Sequence, residues 1–198
     1  MHKEATLSDN ELEILTFDLA RTFIQRRDLY AKQLDDGSYV AVHKPLTEDL
    51  ITDHLRGKIT LGVFTLDQES NGQFLVYDAD DEPNWRRLVA LSAVLWGMGA
   101  KSYLERSRRG GHLWFFFDQQ RSGRELRKFG SGVFTYFDVE GIEQFPKQEQ
   151  LGGGPGSLIR LPFGIHRKSG QRYGFFTPDG QPLAPSLREQ IRVLGQAE

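Results

Sequence analysis

QFLVYDADDEPNWRRLVALSAVLWGMGAKSYLERSRRGGHLWFFF, residues 73–117, is the most regular part of the chain and the part from which its fold can be inferred. An apolar run that ends in acidic residues predicts a buried strand, and the amphipathic stretch after it predicts a helix that Asn84 caps. Two more apolar runs follow the glycines that end this helix. The predicted elements are a strand at 73–77, a helix at 84–98, and strands at 101–104 and 112–117.

Residues 121–129 predict a second helix and residues 141–145 a fourth strand, which completes a β-α-β-β-α-β order. In such a sheet the spatial order of the strands is usually four, one, three, two, with neighbours antiparallel. The end of the first strand, at Asp78 and Asp80, then lies beside the starts of the third and fourth strands. We therefore expect Asp78, His112 and Glu143 to meet at one rim of the sheet.

The flanking segments predict a smaller module before this sheet and a closing region after it. Before the sheet we predict a helix at 9–32, capped by Ser8 or Asp9, a strand at 38–42, a helix at 47–55 and a strand at 60–64. After it we predict a strand pair at 158–163 and 172–176, and a helix at 187–194 that Ser186 caps. The expected fold class is α+β, as one domain with an N-terminal α/β module (1–60) packed on a larger module (61–198).

The composition fits one packed domain and excludes several chemistries. The 198 residues are 38% hydrophobic and 26% charged, which is typical of a folded chain. There is no cysteine, so disulfides, thiol nucleophiles and cysteine-ligated metals are excluded. No apolar run reaches the length of a membrane span, and Met1–Glu4 does not open a signal peptide, so we expect a cytoplasmic protein without a membrane partner.

Charge is balanced overall, at −2, but unevenly placed. Residues 62–82 carry six acids and no Lys or Arg, whereas residues 157–172 carry four basic residues and no acid. An acidic locus facing basic loops is what a site for metal and phosphate needs. The alternative is that both runs are solvated faces, and charge alone favours that alternative.

Asp78 and Asp80 follow an apolar strand and, two residues apart, point to the same face. Adjacent carboxylates repel unless a divalent cation lies between them, and their hard oxygens suit Mg²⁺ or Mn²⁺. The alternative is an acidic turn that caps the next helix.

A glycine-rich turn and two later segments supply candidate phosphate ligands. Glycine lets a backbone N–H approach a phosphate, and Ser, Arg, Lys and His side chains add donors. The candidates are Ser107, Arg108, Gly110, Gly111, His112, Lys147, Arg160, His166 and Lys168. Glu143 and Asp138 are the two candidates for a third acid. Basic hairpins and an ordinary strand edge are the structural alternatives.

Four segments together resemble one family: FLVYDADD, ERSRRGGHLWFFF, IEQFPKQ and GSLIRLPFGIHRKSG. Their order and spacing are similar to the archaeo-eukaryotic primase superfamily, above all to primase-polymerases of TOTE conflict systems and CRISPR-associated primase-polymerases. FIQRRDLYAKQ and HLRGKITLGVF resemble its amino-terminal part, so the resemblance covers nearly the whole chain.

The resemblance implies an RRM-like catalytic sheet and template-directed nucleotidyl transfer, with primase and DNA polymerase activity. Asp78, Asp80 and Glu143 match catalytic positions that hold two Mg²⁺ or Mn²⁺ ions, roughly 3.5–4 Å apart. His112 matches the residue that contacts the phosphates of the incoming nucleotide, with Ser107, Arg108, Gly110 and Gly111 in its loop. Lys147, Arg160, His166 and Lys168 match basic positions for nucleotide or template.

The implied partners are single-stranded DNA template, primer and nucleoside triphosphates (dNTPs or NTPs), with a fused or associated helicase or CRISPR adaptation proteins as further candidates. Three other functions stay open from the sequence. They are a gap-filling or end-extending repair polymerase that does not prime, a non-catalytic nucleotide- or nucleic-acid-binding module, and a metal-dependent nuclease.

Overall fold

The computed structural model describes residues 8–139 and 141–196, which form five helices and nine strands. Met1–Glu4, considered above as a possible signal, lie outside these residues. The helices are α1 (Asp9–Phe23), α2 (Glu48–Leu55), α3 (Glu82–Gly97), α4 (Gly123–Phe137) and α5 (Leu187–Leu194). The strands are β1 (Tyr30–Gln33), β2 (Tyr39–Val42), β3 (Leu61–Phe64), β4 (Asn71–Ala79), β5 (Tyr103–Arg106), β6 (Gly111–Ser122), β7 (Glu143–Phe145), β8 (Leu158–Arg160) and β9 (Phe175–Phe176).

The larger sheet has five strands in the order β7-β4-β6-β5-β9, and each neighbouring pair is antiparallel. Its first four strands are the β-α-β-β-α-β unit, in the spatial order that the sequence predicts. Strand β9 adds a fifth position at the β5 edge. The α+β fold class is therefore confirmed.

Two hydrophobic layers cover the two faces of this sheet, because the side chains of each strand alternate between them. On one face, Tyr77 and Phe115 pack against α3 and α4, with Tyr77 stacked on Phe134 at 4.0 Å between ring centroids. On the other face, Phe74 and Trp114 pack in the cluster that contains the buried side of α1. The candidate rim residues lie on this second face.

The smaller sheet has the order β2-β1-β3-β8 and lies on the same side as α1. Strands β3 and β8 come from residues beyond 60, so its four strands are drawn from both sides of the predicted module boundary. The division at residue 60 stays a prediction. In the described ranges, no helix is long and apolar enough to cross a membrane.

The predicted helix at 9–32 is too long. Helix α1 begins after a Ser8 capping box and ends at Phe23, and Tyr30–Gln33 forms a strand instead. The turn at Asp35-Asp36-Gly37, with Gly37 at φ 90°, folds β2 back onto β1, and β3 pairs with the other edge of β1. Pairing on both edges of β1 overrides the helical propensity of this segment.

Two other helix limits differ from the predictions. Asp81, not Asn84, caps α3, because its carboxylate accepts the Asn84 backbone N–H at 2.8 Å. Helix α4 begins at Gly123 and continues to Phe137 instead of stopping at residue 129. Gly130 does not break it: a Cβ there would lie 2.5 Å from the Gln144 side chain, so this glycine permits close packing of helix on strand.

The strands predicted as a pair at 158–163 and 172–176 join different sheets. Strand β8 pairs with β3 and β9 with β5. Strand β8 ends before Pro162, which has no N–H to donate, and before Phe163, which has a φ of 69°. Helix α5 begins and ends where the sequence predicts, with a capping box between Ser186 and Glu189.

Candidate active site

A row of polar side chains crosses the larger sheet near the end of β4. Asp78 is paired with Glu143 of β7 on one side and with His112 of β6 on the other, and His112 is paired with Glu105 of β5. Directly opposed residues of antiparallel strands point to the same face. The structure therefore brings Asp78, His112 and Glu143 together, as the strand order predicts.

A cleft of about 300 Å³ opens above this row, between the larger sheet and the smaller one. Its opposite wall comes from the β1–β2 hairpin, strand β8 and the loop that contains His166 and Lys168. Eight of the predicted site residues line it: Asp78, Asp80, Ser107, Arg108, His112, Arg160, His166 and Lys168. Asp78 and Asp80 on the first wall therefore face Arg160 and Lys168 on the other.

The three candidate acids differ in their surroundings. Asp78 is half-buried, with its Oδ1 3.5 Å from His112 Nε2, whereas Asp80 is exposed and Arg109 Nη2 donates to it at 2.6 Å. Burial and the nearby carboxylates raise the pKa of Asp78 above its usual value, although His112 acts in the opposite direction. Burial is thus the main effect that opposes the ionised form of Asp78, and the neighbouring carboxylates add to it.

Glu143 is exposed and accepts from Lys147 Nζ at 2.9 Å, and Lys147 also lies over the Phe145 ring. Neither Glu143 nor Lys147 lines the cleft itself. Asp138 is the exposed C-cap of α4, outside the strand row. The register therefore favours Glu143 over Asp138 as the third acid, and its role stays a prediction.

No group of three or more His, Asp or Glu side chains within residues 8–139 and 141–196 is already arranged around a metal position. The donor set nevertheless fits Mg²⁺ or Mn²⁺, because it consists of carboxylate oxygens, the ligands that these hard cations prefer. Asp80 and Glu143 are bound only to exposed cations, through pairs of the kind that contribute little to stability. Both side chains are thus free to turn towards a bound ion.

Gly110 and Gly111 lie where the β5–β6 turn passes the end of β4. A Cβ on Gly110 would lie 2.0 Å from the Ala79 carbonyl oxygen, and one on Gly111 would lie 2.3 Å from the Trp85 ring. The Ser107 N–H donates to the Gly110 carbonyl at 3.0 Å and closes the turn. Neither glycine lines the cleft, and both allow the turn to approach β4 closely.

Glu105 is a residue that the sequence reasoning missed. It is fully buried at the base of the cleft, where it accepts from His112 Nδ1 at 2.7 Å and Arg160 Nη2 at 2.5 Å. Burial opposes its ionisation, but Arg160 and His112 outweigh that effect and hold the pKa of Glu105 below its usual range. The sequence pattern that could have identified it is an acid two residues after Tyr103, on the same face of a predicted strand, and opposite His112 in a predicted hairpin.

The basic loop after β8 is held by Gln33 at the end of β1, another residue that the sequence reasoning missed. Gln33 Nε2 lies 3.3 Å from His166 Nε2, and Gln33 Oε1 accepts the Arg167 backbone N–H at 3.0 Å. Burial, followed by the charges of Arg160, Arg108 and Lys168, lowers the pKa of His166. The lowered pKa favours the neutral form of His166. Arg160 and Lys168 are then the positive charges that this wall contributes to the lining of the cleft.

The site lies in an α+β domain, on an antiparallel β-α-β-β-α-β sheet whose rim acids face basic residues across a cleft. A family model described as the TOTE conflict system, archaeo-eukaryotic primase domain, matches residues 38–196. The chain belongs to this family, and the resemblance drawn from its four segments is confirmed.

One solved structure shows the same overall fold, and a second aligns more weakly. The archaeo-eukaryotic primase domain of the cyanophage S-2L primase-polymerase is 15% identical, with a TM-score of 0.54, and the match covers 92% of this chain and 97% of that one. The polymerase domain of Mycobacterium tuberculosis ligase D in complex with DNA is 10% identical, with a TM-score of 0.43 over 93% of this chain and 81% of that one. Comparison with curated proteins gives no match.

Proposed function

We propose that this cleft carries out template-directed nucleotidyl transfer, with DNA primase and DNA polymerase activity on dNTPs or NTPs. The observation that carries the proposal is the row of Glu143, Asp78 and His112 across three strands, in which Asp78 and His112 line the cleft opposite Arg160 and Lys168. A nucleoside triphosphate needs cations along its phosphates, and the reacting phosphate needs the acids close by. Family membership supports the same chemistry.

The acids and the basic residues have separate tasks. Asp78, Asp80 and Glu143 would hold two Mg²⁺ or Mn²⁺ ions, which when bound neutralise the triphosphate and activate the attacking 3′-hydroxyl. Arg108, Arg160 and Lys168, with His112, Ser107 and His166, would grip the phosphates, while Lys147 stands at the rim beside Glu143. The hydroxyl oxygen bonds to the α-phosphorus, and pyrophosphate leaves. The protein contributes position and charge, without a covalent intermediate.

Single-stranded DNA template and a primer are the proposed macromolecular partners, because template-directed transfer needs a strand to copy and a 3′-hydroxyl to extend. A helicase or CRISPR adaptation proteins stay predictions from the resemblance. Priming and extension are separate claims, so the experiment tests them separately.

The test incubates the chain with primed and unprimed single-stranded DNA, with each nucleotide set and with Mg²⁺ or Mn²⁺. We expect extension of the primer and new products on the unprimed template. The double variant Asp78→Ala/Asp80→Ala should lose extension by about 10²–10³-fold or more, the scale for losing groups that act directly on transition-state charge.

Asp118→Ala is the matched control, because Asp118 pairs with Arg121 on β6 and does not line the cleft. It should extend primers as the unchanged protein does. Full activity in the double variant would refute the assignment of the acids. Extension without products on unprimed DNA would leave a repair-type polymerase, and cleavage of labelled DNA with Mn²⁺ and no nucleotides would indicate a nuclease.

A further inference from the structure

Glu105 binds three donors at once beneath the cleft. Its Oε1 accepts from Arg160 Nη2 at 2.5 Å, and its Oε2 accepts from His112 Nδ1 at 2.7 Å and Trp114 Nε1 at 3.1 Å. All four side chains are at least nine-tenths buried. One carboxylate therefore links β5, β6 and β8, and with them the two sheets.

Stability alone is a weak explanation for such a cluster. Removing a carboxylate, a guanidinium and an imidazole from water costs several kcal/mol per charge, and apolar side chains of similar volume often replace buried ion pairs without loss of stability. The cluster forms the floor of the cleft, where His112 and Arg160 both line the ligand space. A role in ligand binding explains why charged groups occupy this position.

For His112, the bond to Glu105 fixes which nitrogen remains available. With Nδ1–H donated to Glu105, Nε2 is the nitrogen directed at the Asp78 side, 3.5 Å from Asp78 Oδ1. The imidazole also lies edge-on to the Trp114 ring, at 6.1 Å between centroids and an interplanar angle of 78°. The orientation of the ring is thus set before any ligand arrives.

For Arg160, the same carboxylate accepts a hydrogen bond from one terminal nitrogen, and the other terminal nitrogen makes no bond to it. Nη2 donates to Glu105 and the guanidinium lies over the Tyr173 ring, at 5.5 Å from its centroid. The Nη1 atom is buried and has no hydrogen-bond partner within the described part of the chain. A buried donor left unpaired is costly, and an anionic group in the cleft would satisfy it.

We propose that Glu105 is a positioning residue: it binds His112 and Arg160 through separate oxygens and so presents their remaining nitrogens to the phosphates of one nucleotide. This inference rests on the proposed nucleotidyl transfer at the same cleft. Glu105 itself does not line the cleft and acts through the two residues that do.

The test is Glu105→Gln, which keeps the shape and removes the charge. We expect the Kd of a non-hydrolysable nucleoside triphosphate, titrated without template, to rise about 10–100-fold, the scale for residues that orient a ligand-binding group. Ser92→Ala is the matched control, because Ser92 makes a buried hydrogen bond to Ser102 (3.0 Å) away from the cleft. It should lower the melting temperature and leave the Kd unchanged.

A double-mutant cycle with His112→Ala separates positioning from general damage to the fold. If Glu105 acts partly through His112, Glu105→Gln should weaken binding much less in the His112→Ala background than alone. Fully multiplicative effects, or an unchanged Kd in Glu105→Gln, would overturn the inference.

Nitrogen NMR on the unchanged protein gives a second readout that needs no variant to fold. His112 should carry a proton on Nδ1, hydrogen-bonded to Glu105, and a bare Nδ1 would overturn the inference. If the unchanged protein binds no nucleotide and extends no primer, the proposed function fails, while the Nδ1 result still decides whether Glu105 orients His112.

Discussion

Glu105 and Asp78 are two carboxylates in the same row of the sheet, separated by His112, and their surroundings have opposite effects. Glu105 is fully buried, yet Arg160 and His112 hold its pKa below the usual range. Asp78 is less buried, yet burial and three neighbouring carboxylates raise its pKa against the single imidazole of His112. Depth alone therefore does not decide the charge of an acid in this protein.

The difference shows which carboxylate of the row has its charge balanced by other residues of the protein. The charge of Glu105 is matched by Arg160 and His112, so this carboxylate needs no further ligand. The ionised form of Asp78 is opposed by burial and by three neighbouring acids, while His112 acts in its favour, and a bound divalent cation would favour it further. The charge of Glu105 in the floor is thus matched by its neighbours, whereas that of Asp78 at the rim is not.

The largest expected effect on the difference between Glu105 and Asp78 comes from removing Arg160. Arg160→Ala leaves Glu105 buried without its main cation, and we expect a loss of about 3–5 kcal/mol in the free energy of unfolding. Chemical denaturation at pH 7 measures it. Arg109→Ala, which removes the exposed partner of Asp80, should cost no more than about 1 kcal/mol. Equal losses would show that the buried floor is not the framework we describe.

A buried histidine without a carboxylate partner sharpens the contrast. His54 is fully buried, accepts the Leu61 N–H on Nδ1 and donates Nε2–H to the Pro162 carbonyl. Burial lowers its pKa from 6.5 to about 4. Because the unfolded chain binds this proton more readily, the stability from neutral His54 is complete above pH 6.5 and is lost as the pH falls towards 4.

Each tenfold change in proton affinity is worth about 1.4 kcal/mol, so this loss amounts to roughly 3 kcal/mol. Denaturant unfolding between pH 7 and 4 measures it, with His54→Gln as the variant whose pH dependence should be shallower. His43→Gln, at an exposed histidine, should keep the full dependence. The same slope in both variants would contradict the assignment to His54.

The smallest expected effect concerns Asp78 itself. Its raised pKa means that ionised Asp78 destabilises the fold near pH 7, so Asp78→Asn should raise the melting temperature slightly in the absence of metal. Added Mn²⁺ should stabilise the unchanged protein and stabilise the variant less. Asp118→Asn is the control. A variant that is less stable without metal, or that gains as much from Mn²⁺, would contradict the contrast.

Much of the larger sheet could be predicted because its signals are local. The apolar run before Asp78, the helix after it and the glycine-rich turn indicate a β-α-β-β-α-β unit, and the usual strand order of such a unit brings His112 and Glu143 to the rim. The candidate acids and the candidate phosphate-binding loop follow from residue type and position. The Ser186 capping box likewise fixes the start of α5.

What could not be predicted depends on contacts between distant segments. Arg160 lies 55 residues from Glu105 in the chain, and no local pattern shows that a buried base will meet that acid. The strand identity of Tyr30–Gln33 depends on pairing at both of its edges, and the separate sheets of β8 and β9 depend on partners elsewhere. Periodicity identifies strands but does not choose their neighbours.

The close approach of Gly110 to the Ala79 carbonyl has a consequence for natural variation. Any larger residue at position 110 pushes against backbone, and the strand end that would have to yield carries both Asp78 and Asp80. Substitution of the neighbouring exposed arginines, Arg108 and Arg109, would not displace the backbone in this way. In homologues with a larger residue at position 110, we therefore expect the backbone at Ala79 to be displaced and the positions of Asp78 and Asp80 to differ from those seen here.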